Sequence, residues 1–134
     1  MQLQRSLILA AALLVACTAD PSTRWEYVTS DSDGAMFYLD KDSVKVVGDH
    51  VEAIELVDFR DDGSNWKSMK SRVHYRCSLG SSAWIDSDFY SEQMGKGTVV
   101  SSRQERDRSF KKPAPGTPSV ELNRKACSLA ASRA

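Results

Sequence analysis

The feature that most constrains this chain is an apolar run that ends at a cysteine. Residues 7–15 are apolar after a short start containing Arg5, and Leu14-Val15-Ala16-Cys17 has the form of a bacterial lipobox. The run is too short to span a bilayer and has the anatomy of a secretory signal. We therefore predict cleavage after Ala16 and lipid attachment to Cys17. The alternative is an ordinary signal peptide cut elsewhere, with Cys17 unmodified.

The same interpretation predicts the state of the other two cysteines, Cys77 and Cys127. An odd number of cysteines in an exported protein normally leaves one thiol unpaired. Lipidation of Cys17 would account for the odd residue, and an oxidising compartment permits the remaining two to form a disulfide. The alternative is two free, buried thiols.

Length and charge exclude several classes of protein. The chain has 134 residues, enough for one domain, and 18 basic residues balance 18 acidic ones. A dedicated nucleic-acid binder usually carries a basic surplus, so nucleic acid is not an expected partner. We predict a signal peptide over residues 1–16, a polar tether over 17–23, a domain over 24–131 and a tail over 132–134.

The domain shows strand patterns first and a helix pattern last. Residues 72–77 alternate strictly between polar and apolar side chains, which is typical of a half-buried strand. Residues 50–60 place apolar side chains on both sides, which predicts a central strand covered on both faces. The predicted strands cover residues 25–28, 35–40, 44–47, 50–60, 70–78, 83–91 and 98–102.

The end of the domain predicts a helix over residues 119–129. Thr117 is a suitable N-cap, Pro118 a suitable first helical residue, and Cys127 lies on the apolar side of the helix. Strands followed by a helix indicate an α+β fold: an antiparallel sheet of about six strands with a C-terminal helix packed on one face. A Cys77–Cys127 disulfide would tether that helix to the sheet.

The sequence contains no recognisable catalytic constellation, so we predict a non-enzymatic protein without a metal or other cofactor. His50 and His74 stand in no metal-ligand spacing, and both are interpreted as surface residues. There is no phosphate-binding loop, nucleophile elbow or CxxC motif.

The strongest candidate binding feature is residues 103–112, which we call the basic segment. Its cations could bind an acidic polymer or protein surface, although a solvated loop is the simpler alternative. Trp66 is a further candidate because it follows a polar loop and would be partly exposed. Trp84 alternates with Asp86 and Asp88 and is predicted to face outward. The candidate ligand-binding residues are Arg103, Arg106, Arg108, Lys111, Lys112 and Trp66.

Several stretches, taken in order, have the form of a known family of domains. They are Trp25, Phe37-Tyr38-Leu39-Asp40 with Ser43-Val44, Val57-Asp58-Phe59, residues 71–77, residues 90–100, Pro115-Gly116-Thr117-Pro118-Ser119 and Cys127. Together they resemble the surface-adhesin protein E family. The resemblance implies an antiparallel sheet with a disulfide-tethered helix, in a lipid-anchored outer-membrane protein. For the adhesin that gives the family its name, it also implies binding to host matrix proteins.

These observations predict a lipid-anchored, adhesin-like binding protein of the cell envelope. Thr18 follows the lipobox cysteine where an inner-membrane retention signal has Asp, which favours the outer membrane. The expected partners are the membrane, through the lipid, and a host matrix protein or anionic glycan. An exposed edge strand would also allow a homodimer. The alternative function is a structural lipoprotein that faces the periplasm and contacts another envelope protein.

Overall fold

The computed structural model describes residues 24–133, so the predicted signal peptide and tether, including Cys17, lie outside the described residues. The described part contains a seven-stranded antiparallel sheet and one C-terminal α-helix, which confirms the predicted fold class. The elements are β1 (Trp25–Ser30), β2 (Met36–Asp40), β3 (Lys45–Val47), β4 (His50–Asp58), β5 (Ser68–Arg76), β6 (Ser81–Tyr90), β7 (Val99–Gln104) and α1 (Pro118–Ala131).

The strand order is β1-β2-β4-β5-β6-β7, and β3 pairs with the first residues of β4. The β3–β4 turn uses Gly48, whose φ of +61° lies in the left-handed region that favours glycine. Strands β4, β5 and β6 are the longest and form the centre of the sheet. Their register places odd-numbered residues of β4 on the face that carries α1.

Helix α1 covers one face of the sheet, which we call the helix-covered face. The helix begins at Pro118, directly after its N-cap Thr117, as the sequence predicts. Leu122, Ala126 and Ala130 recur every four residues and form the buried side of the helix. They pack into one core with Val44, which lies just before β3, and with these residues of the sheet: Leu39, Val51, Ala53, Val73 and Tyr75.

Two kinds of contact hold α1 on the sheet beyond apolar packing. The predicted disulfide is present: Cys77, directly after β5, is bonded to Cys127 of α1 with a Cα–Cα distance of 5.7 Å. The side-chain amide of Asn123 donates to the carbonyl of Ser81 at 3.0 Å and to the hydroxyl of Ser82 at 3.1 Å. Within residues 24–133, no helix is both long and apolar enough to cross a membrane.

The opposite face of the sheet, which we call the open face, is covered only in part. A short 3₁₀ turn at 93–95 folds back onto it, where the Met94 N–H donates to Asp58 Oδ1 and the Gly95 N–H to Ser68 Oγ, both at 2.8 Å. Leu56 is fully buried there, whereas Ile54 is only half-buried. The predicted coverage of β4 on both faces therefore applies to only part of the strand.

Candidate ligand-binding surfaces

The basic segment is fixed against the edge of the sheet. Beyond the end of β7, the Glu105 N–H donates to the carbonyl of Ile85 at 3.0 Å. Lys111 and Ser82 then exchange two backbone hydrogen bonds, each 2.9 Å long. The chain from 105 to 111 is therefore anchored to β6 at both ends, and residues 106–110 form an irregular segment between the two contacts.

Two of the five cations in the basic segment are neutralised within it. Arg103 Nε lies 3.0 Å from Glu105 Oε1, and Lys111 Nζ lies 2.8 Å from Asp107 Oδ2. Hydrogen bonds from Lys111, and then from Ser109, hold the pKa of Asp107 well below its usual range. These two pairs reduce the net positive charge available to a ligand.

The remaining cations are exposed and make no ion pair with another described residue. Arg108 donates to the Gln104 side-chain oxygen at 2.9 Å and to the Glu105 carbonyl at 3.2 Å, which orients its guanidinium. Lys112 lines a shallow cavity beside the disulfide. Arg106, Arg108 and Lys112 are thus the cations of the segment that a polyanion could reach without displacing a carboxylate.

Residues that are distant in sequence extend this surface where the start of β4 lies beside the end of β5. The guanidinium carbon of Arg76 lies 4.1 Å from the ring centroid of Phe110, and His50 is 6.1 Å from the same ring. His50 and His74 stack with their centroids 4.2 Å apart, and His74 Nε2 lies 2.8 Å from Glu52 Oε2.

The two histidines were interpreted from sequence as separate surface residues, but both are half-buried and in contact. Their proximity depends on the register of β4 and β5, which pairs Glu52 with His74 and so places His50 diagonally across. Among residues 24–133, no group of three or more His, Cys, Asp or Glu residues is arranged to hold a metal ion.

Trp66 does not join the basic segment. It is half-buried, and its ring makes edge-to-face contacts with Phe59 and Phe89, with centroid distances of 5.0 and 5.2 Å. Such contacts stabilise an aromatic cluster and leave only part of the indole for a partner.

Glu55 is a buried carboxyl group on the helix-covered face, 4% exposed. Burial raises its pKa to about 7, although hydrogen bonds from Tyr75 and Trp84 stabilise the ionised form. Trp84 was expected to face outward together with Asp86. Trp84 is 37% exposed, in keeping with that expectation, but it does not share a face with Asp86. A register shift between Arg72 and Val73 separates them, because it pairs Arg72 with Asp86 and Val73 with Trp84. Trp84 therefore lies on the side of Val73 and reaches Glu55.

Comparison with solved structures identifies the class of this fold. Two crystal forms of Haemophilus influenzae protein E match with TM-scores of 0.60 and 0.58, each at 15% sequence identity. They cover 85% and 83% of this chain and 94% and 89% of those chains. Protein E from non-typeable H. influenzae matches with a TM-score of 0.56, covering 88% of this chain and 92% of that one, also at 15% identity. The fold is that of the protein E class of bacterial domains.

The amino-acid sequence identifies the family to which the domain belongs. The family described as Surface-adhesin protein E matches residues 25–128, nearly the whole described domain. The chain belongs to this family, and it is an adhesin-like surface protein. A search of curated protein sequences gave no significant match.

Proposed function

We propose that this chain is a lipid-anchored, non-catalytic adhesin of the outer membrane that binds polyanionic ligands through the basic segment. The lipid would be attached to Cys17. The ligand would be an anionic glycan or an acidic surface of a host matrix protein. Arg106, Arg108 and Lys112 would make the first contacts, and the paired cations Arg103 and Lys111 would add to the local potential.

The observation that carries this proposal is the backbone pairing between Lys111 and Ser82. It anchors one end of the basic segment to the edge of the sheet, with Arg106 and Arg108 exposed. Clustered cations on a surface attract anions over a range of about one Debye length and accelerate association. Arg76 stacks on Phe110 on the same side, but it is paired with Asp49 at 3.3 Å and adds little free positive charge.

Surface plasmon resonance with immobilised heparin and with a purified matrix protein tests the ligand class. We expect saturable binding that weakens with salt, and an increase in Kd of about tenfold for Arg106→Ala/Arg108→Ala, from the loss of two charge-assisted contacts. The matched control is Arg60→Ala/Lys96→Ala, which removes the same charge from exposed positions elsewhere. Equal weakening by both double variants would contradict a specific role for the basic segment.

Protease treatment of intact cells tests which side of the outer membrane the domain faces. Cleavage of the domain in intact cells supports the adhesin role. Full protection until the outer membrane is opened would instead support the alternative, an envelope structural protein that faces the periplasm.

The anchor is tested separately by mass spectrometry and fractionation of Cys17→Ser. The expected product is unlipidated and leaves the membrane fraction. Unchanged membrane attachment of this variant would overturn the lipid anchor while leaving the ligand proposal intact.

A further inference from the structure

The open face contains a cleft of ≈ 240 Å³ between β1 and the end of β6. Trp25 and Tyr90 form its aromatic walls, and charged side chains form its floor. The volume is below the roughly 300 to 1,000 Å³ of pockets for drug-sized ligands, and it suits a ligand with a single ring. The charged residues that line it are Arg24, Asp40, Lys70, Arg72, Asp86 and Asp88.

Most of these charges already have partners. Arg24 forms an ion pair with the buried Asp40, and Arg72 forms one with Asp86 across β5 and β6. Asp88 accepts a hydrogen bond of 2.6 Å from the hydroxyl of Ser102. The Ser102 hydroxyl does not neutralise Asp88, which lies opposite Lys70 in the pairing of β5 with β6. The cleft therefore retains one carboxylate and one cation outside the ion pairs of the described residues.

That cation is Lys70, which has no carboxylate within ion-pair distance among residues 24–133. Its Nζ lies 5.7 Å from the ring centroid of Trp25 and 4.8 Å from that of Tyr90, so the ammonium is within cation–π distance of both rings. The aromatic faces attract it through cation–π interactions, which are weaker than an ion pair with a buried carboxylate.

The turn at 93–95 holds Lys70 in this position. A Cβ built on Gly95 would overlap Lys70 Cε, so the absence of a side chain at Gly95 provides the space for the lysine stem. Burial lowers the pKa of Lys70 and the positive charge of Arg24 acts in the same direction, while the negative charges of Asp40 and Asp88 offset part of this effect. A further anion in the cleft would stabilise the charged ammonium.

We propose that this cleft is a binding site for an acidic monosaccharide unit, with Lys70 binding the sugar carboxylate and Trp25 and Tyr90 packing against the sugar ring. The C–H face of a pyranose packs against aromatic rings, which accounts for two aromatic walls around a single charge. The sugar carboxylate would pair with the Lys70 ammonium, which has no ion-pair partner among the described residues. The ring hydroxyls would donate hydrogen bonds to the Asp88 carboxylate and accept them from the Arg24 guanidinium. This site does not depend on the basic segment.

The site is tested with the whole mature protein by following the Trp25 indole N–H signal in NMR titrations. The probes are glucuronate, N-acetylneuraminate, neutral glucose and acetate. We expect saturable shifts with the two acidic sugars, no saturation with glucose, and at least tenfold weaker binding of acetate. We expect Lys70→Met to weaken acidic-sugar binding at least tenfold, whereas Lys96→Met, an exposed lysine outside the cleft, leaves it unchanged.

Two further variants separate the contribution of the aromatic wall from that of Lys70, and this cleft from the basic segment. Trp25→Leu retains the lysine and removes one wall, so it should also weaken sugar binding without changing the weak acetate response. Because this variant lacks the Trp25 indole, its titrations follow the backbone amide signal of Ser71, which also lines the cleft. Arg106→Ala/Arg108→Ala should bind glucuronate as the parent does, which separates this site from the proposed adhesin surface. The proposal is overturned if neither acidic sugar binds, if acetate binds as tightly as glucuronate, or if folded Lys70→Met retains full affinity.

Discussion

Two glutamates of β4, three residues apart and on opposite faces of the sheet, differ in how the protein treats their charge. Glu55 on the helix-covered face is buried among Tyr75 and Trp84, and its pKa rises to about 7. Burial also acts to raise the pKa of Glu52 on the open face, but hydrogen bonds and charge from His74 and Lys45 outweigh it, so the pKa falls. On the helix-covered face, the surroundings of Glu55 favour the protonated carboxyl group. On the open face, the partners of Glu52 favour the carboxylate.

The same difference extends over the two faces. The helix-covered face contains most of the fully buried apolar side chains, such as Ala53 and Val73, and is covered by α1 and the disulfide. The open face carries ion pairs, such as Arg72–Asp86, and aromatic side chains that remain partly exposed. Exposed ion pairs contribute little to stability, whereas apolar burial contributes most of it. The stability of the domain therefore depends mainly on one face, and the other is available for recognition.

The largest expected effect on the helix-covered face comes from removing the disulfide. Cys77→Ala/Cys127→Ala opens a loop of 50 residues, and the chain-entropy model predicts a loss of about 4 kcal/mol in the free energy of unfolding. Urea denaturation measures this loss. A change below about 1 kcal/mol would mean that the packing of α1 suffices to hold the helix on the sheet.

The next largest loss of stability is expected from a cavity under α1. Leu122 is 1% exposed in the core, so Leu122→Ala should lower the free energy of unfolding by about 3 kcal/mol. Val46, 67% exposed on β3, provides the control, and Val46→Ala should cost less than about 1 kcal/mol. Similar losses for the two variants would contradict the assignment of the core to the helix-covered face.

The glutamate pair predicts opposite pH dependences. Because the folded-state pKa of Glu55 lies above the unfolded value of 4.5, the native state retains a proton that the unfolded state releases. Stability from this group is therefore highest at low pH and is lost as pH rises towards about 7. Between pH 5 and 8 the parent should lose about 2 kcal/mol more than Glu55→Gln, measured by denaturation at each pH.

The control for this experiment is Glu52→Gln. The folded-state pKa of Glu52 is lowered, so its stabilising contribution is present at neutral pH and is lost as the pH falls through that lowered value. Removing Glu52 should therefore make stability less sensitive to acid and leave the loss between pH 5 and 8 unchanged. The same pH profile for both variants would show that the two faces do not differ in this respect.

The smallest expected effect lies on the open face. Gly95 and Gly63 both have a positive φ, so Gly95→Ala and Gly63→Ala should each cost about 1 kcal/mol. Only the Gly95 substitution meets a neighbour, Lys70, because nothing lies within 4 Å of a Cβ at Gly63. The Trp25 indole NMR signal should therefore shift in Gly95→Ala alone, and a shift in both would contradict the packing of Lys70 on the turn.

Local patterns in the sequence account for much of the fold. The alternation over residues 72–77 predicted β5, and the Thr117-Pro118 start predicted α1, which begins at Pro118. The Cys77–Cys127 disulfide could also be predicted, because only two cysteines remain if Cys17 is set aside as the predicted lipidation site. Each of these signals acts over a short range or depends on a residue count.

The candidate sites were less predictable because they depend on register between distant residues. Trp25, Lys70 and Tyr90 come from three different strands, and no spacing in the sequence indicates that they meet. The irregular pairing near Val73, which turns Trp84 towards Glu55, has no local sequence signal either. Alternation predicts the face of a side chain only where the ladder is regular.

The pairing of Lys111 with Ser82 has a consequence for the thermodynamics of any complex formed at the basic segment. A flexible loop that becomes ordered on binding loses about 1 to 2 kcal/mol of backbone entropy for each residue fixed. Here the backbone between Glu105 and Lys111 is anchored at both ends before a ligand arrives. Association should therefore have a small entropic penalty from the protein, and a modest set of charge contacts is sufficient for measurable affinity.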